Sequence, residues 1–143
     1  MKLIADSGAT KTDWALVDNG RSTQMFQTKG LSPVHLSEEQ LLNILHQELL
    51  PQLHAHQHIN IKKVFFYGAG CRGTGAERMY KVLLSCFADA DVMVESDLLG
   101  AARAVCGHEK GLVCILGTGS NSALYDGEKI VKNIPPLGYI LGD

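Results

Sequence analysis

The chain has 143 residues, of which 45% are hydrophobic and 20% charged, within the range of one globular domain with its own core. Thirteen basic against fifteen acidic residues leave a net charge of −2. That argues against a nucleic-acid-binding domain, which carries a basic footprint, and no basic cluster offers itself to an anionic membrane. No apolar run approaches the roughly 20 residues that cross a bilayer. Met1 to Asp6 reaches an acid too soon for a secretory signal, and Cys71, Cys86, Cys106 and Cys114 lack CxxC spacing. Reduced thiols and a cytoplasmic setting are therefore expected.

In chain order, Lys2 to Asp6 reads as a buried first strand and Trp14 to Val17 as a second. Asn19-Gly20 is a strong hairpin signal, because both positions tolerate positive φ, and Ser22 to Gln27 returns as a third strand. Ser37-Glu38-Glu39-Gln40 is a capping box. It is followed by Leu41, Leu42, Leu45 and Leu49 at helical spacing, with Pro51 helping to end the helix. Val64 to Tyr67 is a buried strand ending in Gly68-Ala69-Gly70. Glu77 to Phe87 is a helix, Val92 to Val94 a fifth strand, and Asp97 to Cys106 a short alanine-rich helix. After Gly107 strands begin again, at 111–115, 122–125 and 128–134, with Asp126-Gly127 as one turn.

The order βββαβαβα predicts an α/β fold of ribonuclease-H-like, actin-like type: a mixed five-stranded sheet flanked by helices. The expected division is residues 1–108 as this domain and 109–143 as the opening strands of a second, similar one. Those last residues are too few to build a core of their own.

Two glycine-and-hydroxyl loops follow short hydrophobic strands, and together they suggest a grip on a polyphosphate. In the first, Asp6-Ser7-Gly8-Ala9-Thr10-Lys11-Thr12, a turn between antiparallel strands presents backbone N–H groups as an anion-binding nest. Gly8 allows close approach, Thr10 and Thr12 add hydroxyls, and Lys11 adds charge. Asp6 would repel phosphate unless a cation lay between them, which makes Mg2+ its natural partner. The plainer alternative is a polar hairpin turn, and the P-loop spacing is absent. The second loop, Gly117-Thr118-Gly119-Ser120-Asn121, follows the same logic and has the same alternative.

Asp97 opens a helix directly after a strand. It could simply be an N-cap. Ionised at the carboxyl end of a strand, it could also accept the proton of a hydroxyl that attacks a phosphoryl group. His54, His56 and His58 alternate in a polar stretch that suits a solvated loop better than a metal site. Cys71, at a strand end, reads as a buried, inert thiol.

With these residues in view, the chain resembles the N-acetylglucosamine kinase-like proteins of the BadF/BadG/BcrA/BcrD ATPase family, within the actin-like ATPase superfamily. Asp6 to Trp14 looks like the first phosphate motif, Ser96 to Ala102 like the connecting helix with the catalytic aspartate, and Leu116 to Ser122 like the second phosphate motif. Gly138 to Asp143 resembles the start of a segment that lines the sugar site. The resemblance implies ATP-dependent phosphorylation of an amino sugar at its 6-hydroxyl. Asp97 would be the base, and Asp6 would help to place Mg2+. Gly8, Thr10, Lys11, Thr12, Gly117, Thr118, Gly119 and Ser120 would bracket the phosphates, while Gly68, Gly70, Asn121 and Asp143 would lie near the sugar. ATP and Mg2+ are the implied cofactors. The implied partner is a small-molecule sugar, with a homodimer left open and neither nucleic acid nor membrane expected.

Two departures stand out. The loop Gly30-Leu31-Ser32-Pro33-Val34-His35 lacks the asparagine that relatives often carry there, and Ser7 stands where many have glycine. Family members run to roughly twice this length, as two domains require. The chain is therefore expected to be an N-terminal portion, inactive alone. The competing readings are an ATPase that energises a partner enzyme, a non-catalytic sugar-binding relative, and a two-metal nuclease using Asp6 and Asp97.

Overall fold

The structure, a computed structural model, describes residues 1–55, 59–117 and 120–134. By its contacts the chain forms two compact units, Met1–Asp97 and Leu98–Asp143. No helix among the described residues is long and apolar enough to cross a membrane.

The first unit is built on a mixed sheet of five strands: β1 (Lys2–Ser7), β2 (Lys11–Asp18), β3 (Arg21–Lys29), β4 (Lys63–Gly68) and β5 (Asp91–Ser96), in the spatial order β3-β2-β1-β4-β5. The β1–β2 and β2–β3 pairs are antiparallel, and β1–β4 and β4–β5 are parallel. The β2–β3 turn has the predicted chemistry, with Asn19 at φ 48° and Gly20 at φ 77°. That left-handed pair matches the twist of the flanking strands.

Strand alternation buries Leu3, Ala5, Trp14, Leu16, Phe26, Val64 and Phe66 on one face. Leu41, Leu45, Leu49, Leu53, Met79, Val82 and Leu83 from the helices complete the same core. Trp14 is its largest fully buried side chain. Its indole N–H donates to Thr28 Oγ1 at 3.1 Å, and its ring lies tilted against Phe66 with centroids 5.9 Å apart. The polar end is thus satisfied while the ring fills space.

The first helical segment starts as predicted. The Gln40 N–H donates to Ser37 Oγ at 3.2 Å, and the Ser37 N–H donates to Gln40 Oε1 at 2.9 Å. It does not stop at Pro51. Helical backbone continues as α1 (Glu38–Ile44), a π-helical turn (Leu45–Leu49) and α2 (Leu50–His54). Proline offers no N–H to the carbonyl four residues back, and its ring crowds that carbonyl. The wide turn, in which the Leu50 N–H reaches the Leu45 carbonyl, leaves Pro51 in the first turn of α2, where a missing N–H costs nothing. The next helix, α3 (Thr74–Cys86), begins three residues before the predicted Glu77.

The described helices of this unit share one core with one face of the sheet. The other face carries the half-buried Ile4, Ala15, Phe65 and Met93, and with them the polar side chains considered below.

In the second unit, β6 (Gly111–Leu116), β7 (Ser120–Tyr125) and β8 (Ile130–Ile134) form an antiparallel sheet. The helix α4 (Asp97–Cys106) was expected to close the first domain. Its Leu98, Leu99 and Ala102 instead cluster with Val113, Ala123 and Tyr125 of this sheet, so the contact boundary falls after Asp97 and not after residue 108. Tyr125 is buried, and its hydroxyl donates to the Gly127 carbonyl at 2.8 Å with the Gly107 carbonyl 3.1 Å away. The predicted Asp126-Gly127 turn is present. Asp126 Oδ1 accepts the N–H groups of Glu128 and Lys129 at 2.9 and 2.8 Å.

Candidate functional site

The register of the first sheet aligns Gln27, Asp13, Asp6, Tyr67 and Glu95 as one row across all five strands. Paired residues share a face, so this row lies on the side opposite the core. Asp97 follows Glu95 by two residues, as the first residue of α4. Parallel β1, β4 and β5 all end at this edge, where ligands bind in open α/β sheets.

The loop after β1 is held from inside. The Gly8 N–H donates to the Lys11 carbonyl at 2.9 Å, and the Gly30 N–H donates to the Thr10 carbonyl at 2.9 Å. Beneath them, Ser7 Oγ and Thr12 Oγ1 lie 2.7 Å apart. Thr12 Oγ1 donates to the Lys29 carbonyl, Ser7 Oγ accepts the Leu31 N–H, and the Ser7 carbonyl accepts the Ala69 N–H.

This corrects one expectation. Thr12 is fully buried with its hydroxyl engaged, so it braces the loop and presents nothing to a ligand. Gly8, Ala9, Thr10 and Lys11 are exposed. The Gly8 N–H already closes the turn and is not a free donor.

Lys11 is drawn along the open face. Its Nζ lies 2.7 Å from Asp13 Oδ2, while Gln27 Nε2 donates to Asp13 Oδ1 at 2.7 Å. The hydrogen bond from Lys11, followed by that from Gln27, holds the Asp13 carboxyl below the usual aspartate value. The same contact raises Lys11. Asp6 behaves oppositely. Although exposed as a residue, its carboxyl is pushed up, first by the protein packed around it and then by the charges of Asp13 and Asp97, with Lys11 pulling the other way.

Asp6 is thus a strand-end carboxylate whose ionised form is disfavoured by its surroundings. Among the described residues no group of three or more His, Cys, Asp or Glu is arranged to hold a metal. A single strand-end carboxylate suits Mg2+ that keeps waters and phosphate oxygens as its other ligands, not a cage made of protein alone.

Gly68 is buried, and a methyl group there would meet the Phe66 ring at 2.5 Å and Cys71 Sγ at 2.9 Å. Its role is packing at the end of β4. Gly70 is exposed in the following turn and faces Ser32 and Val34 of the 30–36 loop. Arg78 Nη1 fixes that loop by donating to the Pro33 carbonyl at 2.8 Å, a role the sequence reading did not assign. Cys71 is buried, and its thiol is pushed up to about 12 by burial and then by the Asp97 charge. The burial expected of Cys71 is found, and the Asp97 charge is the second cause that raises its thiol.

In the second unit, Leu116 pairs with Ser120 across the turn that opens the β6–β7 hairpin. Gly117 is exposed there, while Thr118 and Gly119 lie outside the described residues. Asn121 Oδ1 accepts from Asn133 Nδ2 at 2.6 Å, and Asn133 Nδ2 also reaches the Ser122 carbonyl at 2.8 Å. Asp143, His56 and His58 lie outside the described residues, and His54 is exposed at the end of α2.

No family model and no curated protein matches the chain. Solved structures do. Over the whole of its length the chain superposes on half of a candidate N-acetylglucosamine kinase from Porphyromonas gingivalis, with a TM-score of 0.94 and 46% identity. The fold is that of the actin-like sugar kinases. A candidate N-acetylglucosamine kinase from Chromobacterium violaceum follows at a TM-score of 0.75 and 15% identity, covering 96% of this chain and 49% of that one. A ROK-family glucokinase from Streptomyces griseus, in complex with glucose and AMPPNP, has a TM-score of 0.63 and 19% identity, covering 90% of this chain and 46% of that one. These last two likenesses concern the fold alone. The chain spans about half the length of each of these relatives.

Set on the sugar-kinase fold, the first unit gathers Asp6, Gly8, Thr10, Lys11 and Asp97 toward one edge of its sheet, with Gly70 in the turn after the neighbouring β4. Asp13 belongs to the same row. It falls within the first phosphate motif, Asp6 to Trp14, where the resemblance implies no role for it. The available signal was strand periodicity, since Lys11 and Asp13 are two apart and must share a face.

Proposed function

We propose that this chain carries the phosphate loops and the catalytic base of an ATP-dependent sugar kinase. The acceptor best supported is an amino sugar, N-acetylglucosamine, phosphorylated at its 6-hydroxyl. The observation that carries the reading is that Asp6 and Asp97 stand at the carboxyl ends of β1 and β5, the two strands flanking β4. The 46% identity to a candidate kinase for that sugar supports it further.

In this reading Asp97 takes the hydroxyl proton as the sugar oxygen attacks the γ-phosphorus and ADP departs. Thr10 and Lys11 hold phosphate oxygens, Gly8 lets them come close, and buried Thr12 keeps the turn in shape. Gly117, Thr118, Gly119 and Ser120 form the second phosphate loop. Gly70, Asn121 and Asp143 belong to the sugar side, with Gly68 packing behind them. Asp6 would help to hold Mg2+. When bound, Mg2+ offsets charge on the phosphoryl oxygens.

The test is ATP-dependent phosphorylation of N-acetylglucosamine by a protein that joins this chain to a second half like that of its relatives. Asp97→Asn should lower kcat by about 10²–10⁴-fold while sugar binding persists. Undiminished turnover by that variant would remove Asp97 from its role. Glucose turned over in place of N-acetylglucosamine would reassign the substrate. The 143-residue chain alone is expected to turn over neither sugar.

A further inference from the structure

The residue expected to hold phosphate is already engaged. Lys11 Nζ sits 2.7 Å from Asp13 Oδ2, while the other oxygen of that carboxylate is occupied by Gln27 Nε2 at 2.7 Å. Asp13 is therefore fixed at both oxygens. Lys11 is not, since its side chain is 63% exposed and rides on a flexible stem. Asp13 also lies directly opposite Asp6 in the β1–β2 register, a spacing of about 4.5–5.5 Å between Cβ atoms.

An exposed ion pair in water is weak, whereas a lysine on a multiply charged phosphate makes a stronger, charge-assisted contact. A polyphosphate entering the loop thus has the stronger claim on Lys11. Once Lys11 leaves, the Asp13 carboxylate loses its counter-charge one strand away from Asp6. Two neighbouring uncompensated carboxylates draw a divalent cation to the site at the moment the anion arrives.

Resting on the reading of residues 6–12 as a phosphate loop, we propose that Asp13 is a positioning residue. It parks Lys11 beside its carboxylate and, by giving Lys11 up to polyphosphate, couples polyphosphate binding to uptake of a divalent cation. The bland alternative is an ion pair that merely decorates strand β2, with no influence on either ligand.

The probe is tripolyphosphate, titrated calorimetrically into the chain with and without Mg2+. Without Mg2+, Asp13→Asn should bind tripolyphosphate about two- to fivefold more tightly than wild type, because Lys11 is no longer held back. The factor by which Mg2+ strengthens binding should shrink in the same variant. Lys11→Met should weaken binding, and adding Asp13→Asn to it should recover less than twofold, a non-additivity that only a shared mechanism gives. Wild-type binding that Asp13→Asn leaves unchanged, or weakens, overturns the exchange while sparing the phosphate loop. Wild-type chain that binds no tripolyphosphate under either condition overturns the phosphate-loop reading, and the exchange with it.

Discussion

Gly30 lies directly against Ala9. Its N–H donates to the neighbouring Thr10 carbonyl at 2.9 Å, and a methyl group at Gly30 would overlap the Ala9 carbonyl oxygen, far inside van der Waals contact. Backbone on backbone leaves no flexible side chain to yield. Gly30→Ala should therefore cost about 1–3 kcal/mol, the usual toll of overpacking, and should move the loop it supports. Urea unfolding measures the first effect and tripolyphosphate titration the second. A variant as stable as the parent would mean that the loop is not held against this strand end.

Two threonines two residues apart should separate cleanly. Thr12 is buried with its hydroxyl bonded to Ser7 and to the Lys29 carbonyl, whereas Thr10 is exposed. Thr12→Val is expected to lower stability by about 1–3 kcal/mol, because the groups it satisfied stay buried. Thr10→Val should leave the unfolding midpoint nearly unchanged and weaken tripolyphosphate binding. The reverse pattern would restore Thr12 to the ligand side.

Asp6 gives a pH dependence with a definite sign. Its native carboxyl is pushed above the ordinary value of 3.8 by burial, Asp13 and Asp97. The folded chain consequently binds this proton more readily than the unfolded chain, and folding loses stability as pH rises from 3.8 through the raised native value. Asp6→Asn should unfold at a higher temperature than wild type at pH 7, and the gap should close by about pH 3. An unchanged gap at both pH values would place the effect elsewhere than in ionisation. A gain in stability at the cost of the ligand is the usual pattern for functional carboxylates.

Thiol labelling tests the neighbourhood of Asp97. Cys71 is buried with its thiol pushed up to about 12, while Cys114 is exposed. At pH 7.5 iodoacetamide should modify Cys114 in minutes and leave Cys71 intact until denaturant is added, since only the thiolate reacts. Mass spectrometry of the digested chain reads the order directly. Labelling of both at one rate in the native state would contradict the burial.

Much of the fold was legible because strand alternation and turn chemistry are local. The Asn19-Gly20 hairpin, the Ser37 capping box and the span of α4 all follow from a few neighbouring residues. The helical run past Pro51 was not legible, because the wide turn over Leu45–Leu49 that places Pro51 in the first turn of α2 has no propensity signal of its own. The side on which α4 packs depends on its partners Val113 and Tyr125, more than ten residues downstream. Thr12 was misread for a related reason. In sequence it is one hydroxyl among several, and only the parity of β2, set by Trp14 two residues on, turns it inward.

That parity has a consequence for β1. Leu3, Ala5 and Ser7 answer to the core, while Ile4 and Asp6 answer to the open face. The strand is clamped between an antiparallel neighbour and a parallel one. A slip of one residue against either would bury Asp6 and expose Leu3, so an error in folding would also be an error in chemistry. A misregistered chain could therefore neither settle nor bind, and selection for a stable strand and selection for a placed carboxylate act on this segment as one.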